Sequence, residues 1–177
     1  MSCFNAALPR RGLLLLFVFA LAGCGFRPLY GQRSARDWDP DLAAIKVDPI
    51  PDRPGQILAL ALRESLNPSG TSVPAKWRLQ TALTIARSDL GIQRNATATS
   101  SEITVSASFA LFEVASGKPV YSNSSRAISD FNQLTDAYAT QVAADDARDR
   151  ALQQVAEEMT MRMAIFMRQQ RASTAAK

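Results

Sequence analysis

The stretch Trp77-Arg-Leu-Gln-Thr-Ala-Leu-Thr-Ile-Ala-Arg87 decides how the rest of the chain must be read. Trp77, Leu79, Leu83 and Ile85 occupy odd positions, while Arg78, Gln80, Thr84 and Ser88 occupy even ones. In an extended backbone successive side chains point to opposite faces, so one face is apolar and the other polar. Such a strand needs a second layer on its apolar face only. Ile103-Thr-Val-Ser-Ala-Ser-Phe-Ala-Leu-Phe112 repeats the alternation, with Ile103, Val105, Phe109 and Leu111 against Thr104, Ser106 and Ser108. Ser116-Gly117-Lys118-Pro119 carries turn chemistry, and Val120 to Ile128 returns as a third long strand, rich in serine and asparagine. The connection Gly91 to Thr99 can extend the first two strands beyond the core.

Outward from this trio, Ala44 to Asp48 reads as a short strand with Ile45 and Val47 on one face. Pro49, Pro51 and Pro54 follow, and proline cannot continue a sheet interior. From Pro54 to Leu66 the period becomes helical, with Leu58, Leu62 and Leu66 on one stripe and Asn67-Pro68 as a stop. The final third predicts one helix from about Asp136 to Gln170. Its apolar stripe is Leu152, Val155, Ala156, Met159, Met163, Phe166 and Met167, preceded by small Ala144, Ala147 and Ala151. Acidic residues toward its start and Arg162, Arg168 and Arg171 toward its end complement the helix dipole. The order strand, helix, three strands, helix predicts an α+β fold: two helices packed on one face of a four-stranded, mostly antiparallel sheet.

The N-terminus reads as an address. Arg10 and Arg11 precede an uncharged run, Leu13 to Ala22, too short to span a bilayer at the roughly 20 residues this takes. Leu21-Ala22-Gly23-Cys24 has the form of a bacterial lipobox, so residues 1–23 are expected to be cleaved and Cys24 lipidated. Two or more acyl chains on Cys24 anchor a protein stably. Residues 24–43 then form a tether, 44–171 a single domain, and 172–177 a flexible tail. Removal of the first 23 of 177 residues takes two arginines with it, and the net charge falls from +4 to +2.

Composition removes most chemistry. Histidine is absent and there are two cysteines, Cys3 and Cys24, so histidine-based catalysis and thiolate zinc sites are excluded. No metal site, cofactor or nucleic-acid footprint is expected, and the chain reads as a non-enzyme. Asp37, Asp39 and Asp41 echo a calcium loop, but Leu42 stands where glycine would be needed. Asp145, Asp146 and Asp149 interleave with Arg148 and Arg150 and read as a solvated helix face. The methionines of the last helix read as core. Arg78, Arg87, Arg94, Lys118 and Arg126 fall on strands or strand-end loops of one sheet, and guanidinium groups grip phosphate bidentately. They are the candidates for an anionic lipid headgroup.

Cys24-Gly-Phe-Arg-Pro-Leu-Tyr-Gly31, beginning at the lipobox, resembles the mature start of the lipopolysaccharide-assembly lipoprotein family LptE, also called rare lipoprotein B. The resemblance continues through Ile45-Lys-Val-Asp-Pro-Ile-Pro-Asp-Arg-Pro-Gly-Gln56 and the leucine-rich helix. It implies a lipoprotein anchored on the periplasmic face of the cell outer membrane. It implies as partners the LptD β-barrel, as a heterodimer in which this chain plugs the lumen and helps assembly, and lipopolysaccharide, bound on its way to the outer leaflet. Arg94 and Lys118 are the first candidates for lipopolysaccharide contact, with Arg78, Arg87 and Arg126 behind them. The serine- and threonine-rich faces at 97–108 and 122–129 suit a polar lumen. The alternative is another periplasmic lipoprotein, a pilotin or barrel-assembly accessory that binds only protein.

Overall fold

The computed structural model describes residues 40–92 and 98–175. The signal segment 1–23, Cys24, most of the tether and Arg94 lie outside these residues. The elements are α1 (Pro40–Ala43), β1 (Ile45–Val47), α2 (Asp52–Leu66), β2 (Trp77–Ile92), β3 (Ala98–Glu113), β4 (Pro119–Asn132) and α3 (Ala137–Ala175). The sheet order is β1-β2-β3-β4. β1 runs parallel to β2 with Ile45 opposite Trp77 and Val47 opposite Leu79. A parallel pair needs a crossover, and α2 supplies it. β2, β3 and β4 then form an antiparallel meander, with Leu79 opposite Leu111 and Leu111 opposite Tyr121.

This is the α+β architecture that the alternation and the helical stripes predict. Leu79, Ile103, Val105, Phe109 and Leu111 are buried on one face of the sheet, under Leu58, Leu62 and Leu66 of α2 and Leu152, Val155, Met159 and Met163 of α3. Ala147 and Ala151 have no exposed surface, and their lack of bulk lets α3 lie close to the sheet. Met161, off the stripe, is 63% exposed.

The elements outrun their sequence patterns in three places. β2 and β3 extend to Ile92 and back to Ala98, past the point where Arg87, Asp89 and Ser101 break the apolar face. The ladder continues there because those polar side chains bond one another. α2 starts two residues before Pro54, which the first helical turn tolerates because its N–H groups have no intrahelical acceptor. Residues 40–43, read in sequence as the end of the tether, form a helical turn. Leu42 is buried, and Asp41 pairs with Lys76 at 3.5 Å and with Arg171 at 3.4 Å. The acids of α3 also lie further in than the dipole argument assumed. Asp136 caps the helix by accepting from Tyr138 N–H (2.7 Å) and Ala139 N–H (3.1 Å), while Asp145 pairs with Arg148 at 2.9 Å and Asp146 with Arg150.

Gly55 is a position where propensity and packing oppose each other. A Cβ there would meet Ile50 Cγ2 at 2.7 Å and the Ile50 carbonyl carbon at 3.0 Å. Alanine favours an open helix by about 1 kcal/mol over glycine, whereas overpacking costs about 1–3 kcal/mol. Gly55→Ala is therefore expected to lower stability by about 1 kcal/mol, read as a lower urea midpoint at unchanged slope; a raised midpoint would contradict the packing.

Candidate functional site

On the helix-covered side, two polar clusters interrupt the core. Toward the Ile92 end of β2, Ser101 is fully buried and its hydroxyl donates to Asp89 Oδ1 at 2.7 Å. Gln133 Nε2 donates to Ser101 Oγ (2.8 Å) and to Asp89 (3.2 Å). Arg87 completes the group, with Nε 3.4 Å from Asp89 and its guanidinium 4.9 Å from the Phe131 ring centre. The Ser101 hydroxyl, then the Arg87 charge, hold the Asp89 carboxyl below its usual range. The second cluster ties α3 to β4. Buried Ser125 donates to Glu158, Arg162 Nε donates to Glu158 Oε1 at 3.1 Å, and Arg162 Nη1 donates to Asn123 Oδ1 at 3.0 Å. The Ser125 hydroxyl first, and Arg162 second, lower the Glu158 pKa.

The other face of the sheet is open. Rows of side chains cross it in register: Gln80, Ala110 and Ser122; Ala82, Ser108 and Ser124; Thr84, Ser106 and Arg126. A shallow depression of about 760 Å³ lies over the first two rows, with Asp48 at its rim. Its lining is uncharged apart from Asp48 and mixes Thr81, Ser108, Ser122 and Ser124 with Ala82, Ala110 and Pro49, which fits a flat surface laid against it better than a small-molecule pocket. Among the described residues no cluster of three metal-ligating side chains occurs.

The basic candidates separate. Arg78 and Arg126 stand on the open face. Arg78 is engaged, with Nε 3.4 Å from Asp48 and its guanidinium 5.7 Å from the Phe112 ring centre. Arg126 and Lys118 make no ion pair among the described residues and are exposed. Arg87 lies on the helix side, held by Asp89, Ser101 and Phe131. Lys118 sits in the tight turn after β3, where Gly117 has φ +66° and Glu113 N–H bonds the Lys118 carbonyl at 3.0 Å. Arg94 falls in the stretch 93–97, outside the described residues, after the far end of β2. The 16 residues of β2 span about 50 Å at ~3.4 Å per residue, so the Lys118 turn and the far end of β2 belong to opposite ends of the sheet.

Lys76 joins Lys118 and Arg78 at the near end, because its carbonyl accepts from Val114 N–H at 3.0 Å. The sequence reading passed over it. The available signal was its position just before Trp77, which any antiparallel pairing of the first two long strands brings level with the Ser116–Pro119 turn.

The fold, a four-stranded α+β sheet with helices on one face, is shared with several solved bacterial lipoproteins. One from Caulobacter crescentus CB15 is 22% identical, with a TM-score of 0.58 over 71% of this chain and 92% of its own. The rare lipoprotein B of Shewanella oneidensis is 15% identical, with a TM-score of 0.56 over 72% and 96%. The minor lipoprotein of Acinetobacter baumannii is 13% identical, with a TM-score of 0.57 over 70% and 91%. These likenesses define the fold. No curated protein matches the chain significantly in sequence. The sequence pattern of the LptE lipopolysaccharide-assembly family matches residues 42–164, and the chain belongs to that family. It is a lipopolysaccharide-assembly lipoprotein and not an enzyme.

The Ser125–Glu158–Arg162 tie carries a pH dependence. With its folded pKa held below the ordinary carboxylate value of 4.5, Glu158 contributes stability fully above that pH and loses it as pH falls through the folded value. Asp89 acts in the same direction. The thermal midpoint is expected to drop as the pH is taken below about 4.5, and Glu158→Gln should flatten part of that drop. An identical pH profile in the variant would show that the tie does not stabilise the fold.

Proposed function

We propose that this chain is anchored through Cys24 on the periplasmic face of the outer membrane, plugs the lumen of the LptD β-barrel, assists its assembly, and binds lipopolysaccharide during transport. The observation that carries the proposal is the one-sided sheet. The helices occupy one face, and the other is a broad surface of Gln80, Thr84, Ser106, Ser108, Ser122 and Ser124. The interior of a transmembrane barrel is polar, and a surface of short hydroxylic side chains can lie against it without burying unpaired charge. Family membership supports the same reading.

Lipopolysaccharide presents phosphates, and the exposed Lys118, at one end of the sheet, is unpaired among the described residues, with Lys76 near it in the backbone but ion-paired with Asp41. Arg94, in the connection beyond β2, is the candidate for the other end.

Affinity capture of the membrane-extracted lipoprotein, with mass spectrometry of what accompanies it, tests the plug. A large outer-membrane barrel recovered in equal amount is expected, and its absence would rule the plug out. Lys118→Glu and Arg94→Glu are each expected to weaken lipopolysaccharide binding about tenfold, the loss of one charge-assisted contact; unchanged binding in both removes these residues from the site. Cys24→Ser should leave the protein in the soluble periplasmic fraction, and continued membrane retention would refute lipid anchoring.

A further inference from the structure

We propose that the Lys118 end of the sheet is a membrane-facing surface, and that its partner is the anionic phospholipid leaflet in which the chain is anchored. This rests on lipid anchoring at Cys24 and is independent of the plug.

One row of side chains crosses the open face at that end. Lys46 stands opposite Arg78, Arg78 opposite Phe112, and Phe112 opposite Pro119. Just beyond the row lie Lys76, Val114 and Lys118. The Lys76 carbonyl accepts from Val114 N–H and the Lys118 carbonyl from Glu113 N–H, each at 3.0 Å. All four basic residues are exposed, and so are Pro119 and Val114. Lys76 and Arg78 pair with Asp41 and Asp48, yet their side chains keep 65% and 50% of their surface. Lys46 and Lys118 make no ion pair among the described residues.

The charge along the sheet is lopsided. On and beside this row Lys46, Lys76, Arg78, Lys118 and Arg171 outnumber Asp41, Asp48 and Glu113. Around the Ser101 cluster the sign reverses, and among the described residues Asp89, Glu102, Asp130 and Asp136 outnumber Arg87 and Arg150. A field of this kind turns one end of the domain toward a negative surface.

The point where the tether joins the domain selects the leaflet as that surface. Asp41 of α1 is held by Lys76 and Arg171, so the chain leading back to Cys24 leaves from the basic end. Cys24 stands 16 positions before Pro40, a reach of at most about 60 Å at full extension. Acyl chains on Cys24 therefore confine this end to the neighbourhood of the leaflet ahead of the far ends of the strands. The residue types fit as well. Long lysine and arginine stems lie along apolar neighbours such as Phe112, Val114 and Pro119 while their charges reach headgroups. Each basic residue near an anionic leaflet strengthens partition about fivefold, and salt screens that attraction. The surface is thus too weak to hold an unacylated chain at physiological salt, and it orients an anchored one. The docked form is the lipoprotein before it meets a partner, with its open face uncovered.

Vesicle co-sedimentation of the Cys24→Ser protein at low salt tests the surface, because no acyl chain then contributes. Vesicles of mixed phosphatidylglycerol and phosphatidylcholine are compared with phosphatidylcholine alone and with lipopolysaccharide aggregates. Binding to the phosphatidylglycerol vesicles is expected to exceed that to phosphatidylcholine at least tenfold, and added salt should remove the difference. Lys46→Ala and Lys118→Ala are each expected to lower it about fivefold. Arg53→Ala, which removes an exposed cation from the first turn of α2, is expected to leave it unchanged. No preference for phosphatidylglycerol overturns the proposal. An equal loss from Arg53→Ala marks unspecific attraction and also overturns it. Binding to lipopolysaccharide aggregates without binding to phosphatidylglycerol assigns this end to lipopolysaccharide and overturns it too. Recovery of a barrel by affinity capture is unaffected by any of these outcomes and tests the plug separately.

Discussion

The contact on which the structure depends is the seat of α3 along β3 and β4. The three long strands have the length of a protruding ribbon, and isolated ribbons are marginally stable. A helix of 39 residues runs beside them. It closes on the sheet through Ala144, Ala147 and Ala151 at one end and through Leu152, Val155, Met159 and Met163 further along. Small residues bring the helix axis close and the larger ones fill the core. The Ser125–Glu158–Arg162–Asn123 group and the stacking of Tyr121 on Phe166, at 4.6 Å between ring centres, set the helix against the edge strand in one register.

With all the cover on one face, the other is left to solvent or to a partner. Short hydroxylic side chains dominate it, with Arg78 and Asp48 near one end, Glu102 and Asp130, cross-strand neighbours, near the other, and Arg126 between them on the edge strand β4. Such a surface is flat, wettable and free of the bulk that would hold a partner at a distance. The uncharged stretch of the β2 edge belongs to the same design. α2 is 15 residues long and returns toward Trp77, so the covering layer is deepest at one end of the sheet, and among the described residues nothing pairs with the outer edge of β2 beyond Leu79.

The architecture was legible because alternation and helical stripes are local statements about which face is wet. Trp77–Arg87, Ile103–Phe112 and the Leu58/Leu62/Leu66 stripe each named their buried side: Leu79, Ile103, Val105, Phe109, Leu111 and the three leucines are buried, and Trp77, Leu83 and Ile85 are half-buried. The extension of β2 and β3 along the Gly91–Thr99 connection was legible, but the polar cluster that lies beneath it was not. Arg87, Asp89 and Ser101 look like surface residues one at a time, and only their mutual contact, with Gln133 from beyond β4, makes a buried serine stable there. The basic candidates were legible as types but not as a constellation. Arg78 is taken up by Asp48 and Phe112, Arg87 by Asp89 and Phe131, and Lys76 joins Lys118 through the β3–β4 turn.

The sequence by itself determined the layer arrangement, the faces of the strands and helices, and the exclusion of histidine and thiolate chemistry. These follow from residue type and period, which are properties of short segments. The tertiary structure alone decided, among the described residues, which cations remain unpaired, which polar residues are internally satisfied, and where β1 stops along β2. Each of these depends on residues far apart in the chain meeting in space: Arg87 with Phe131, Lys76 with Val114, and β1 stopping after three residues beside a strand of sixteen.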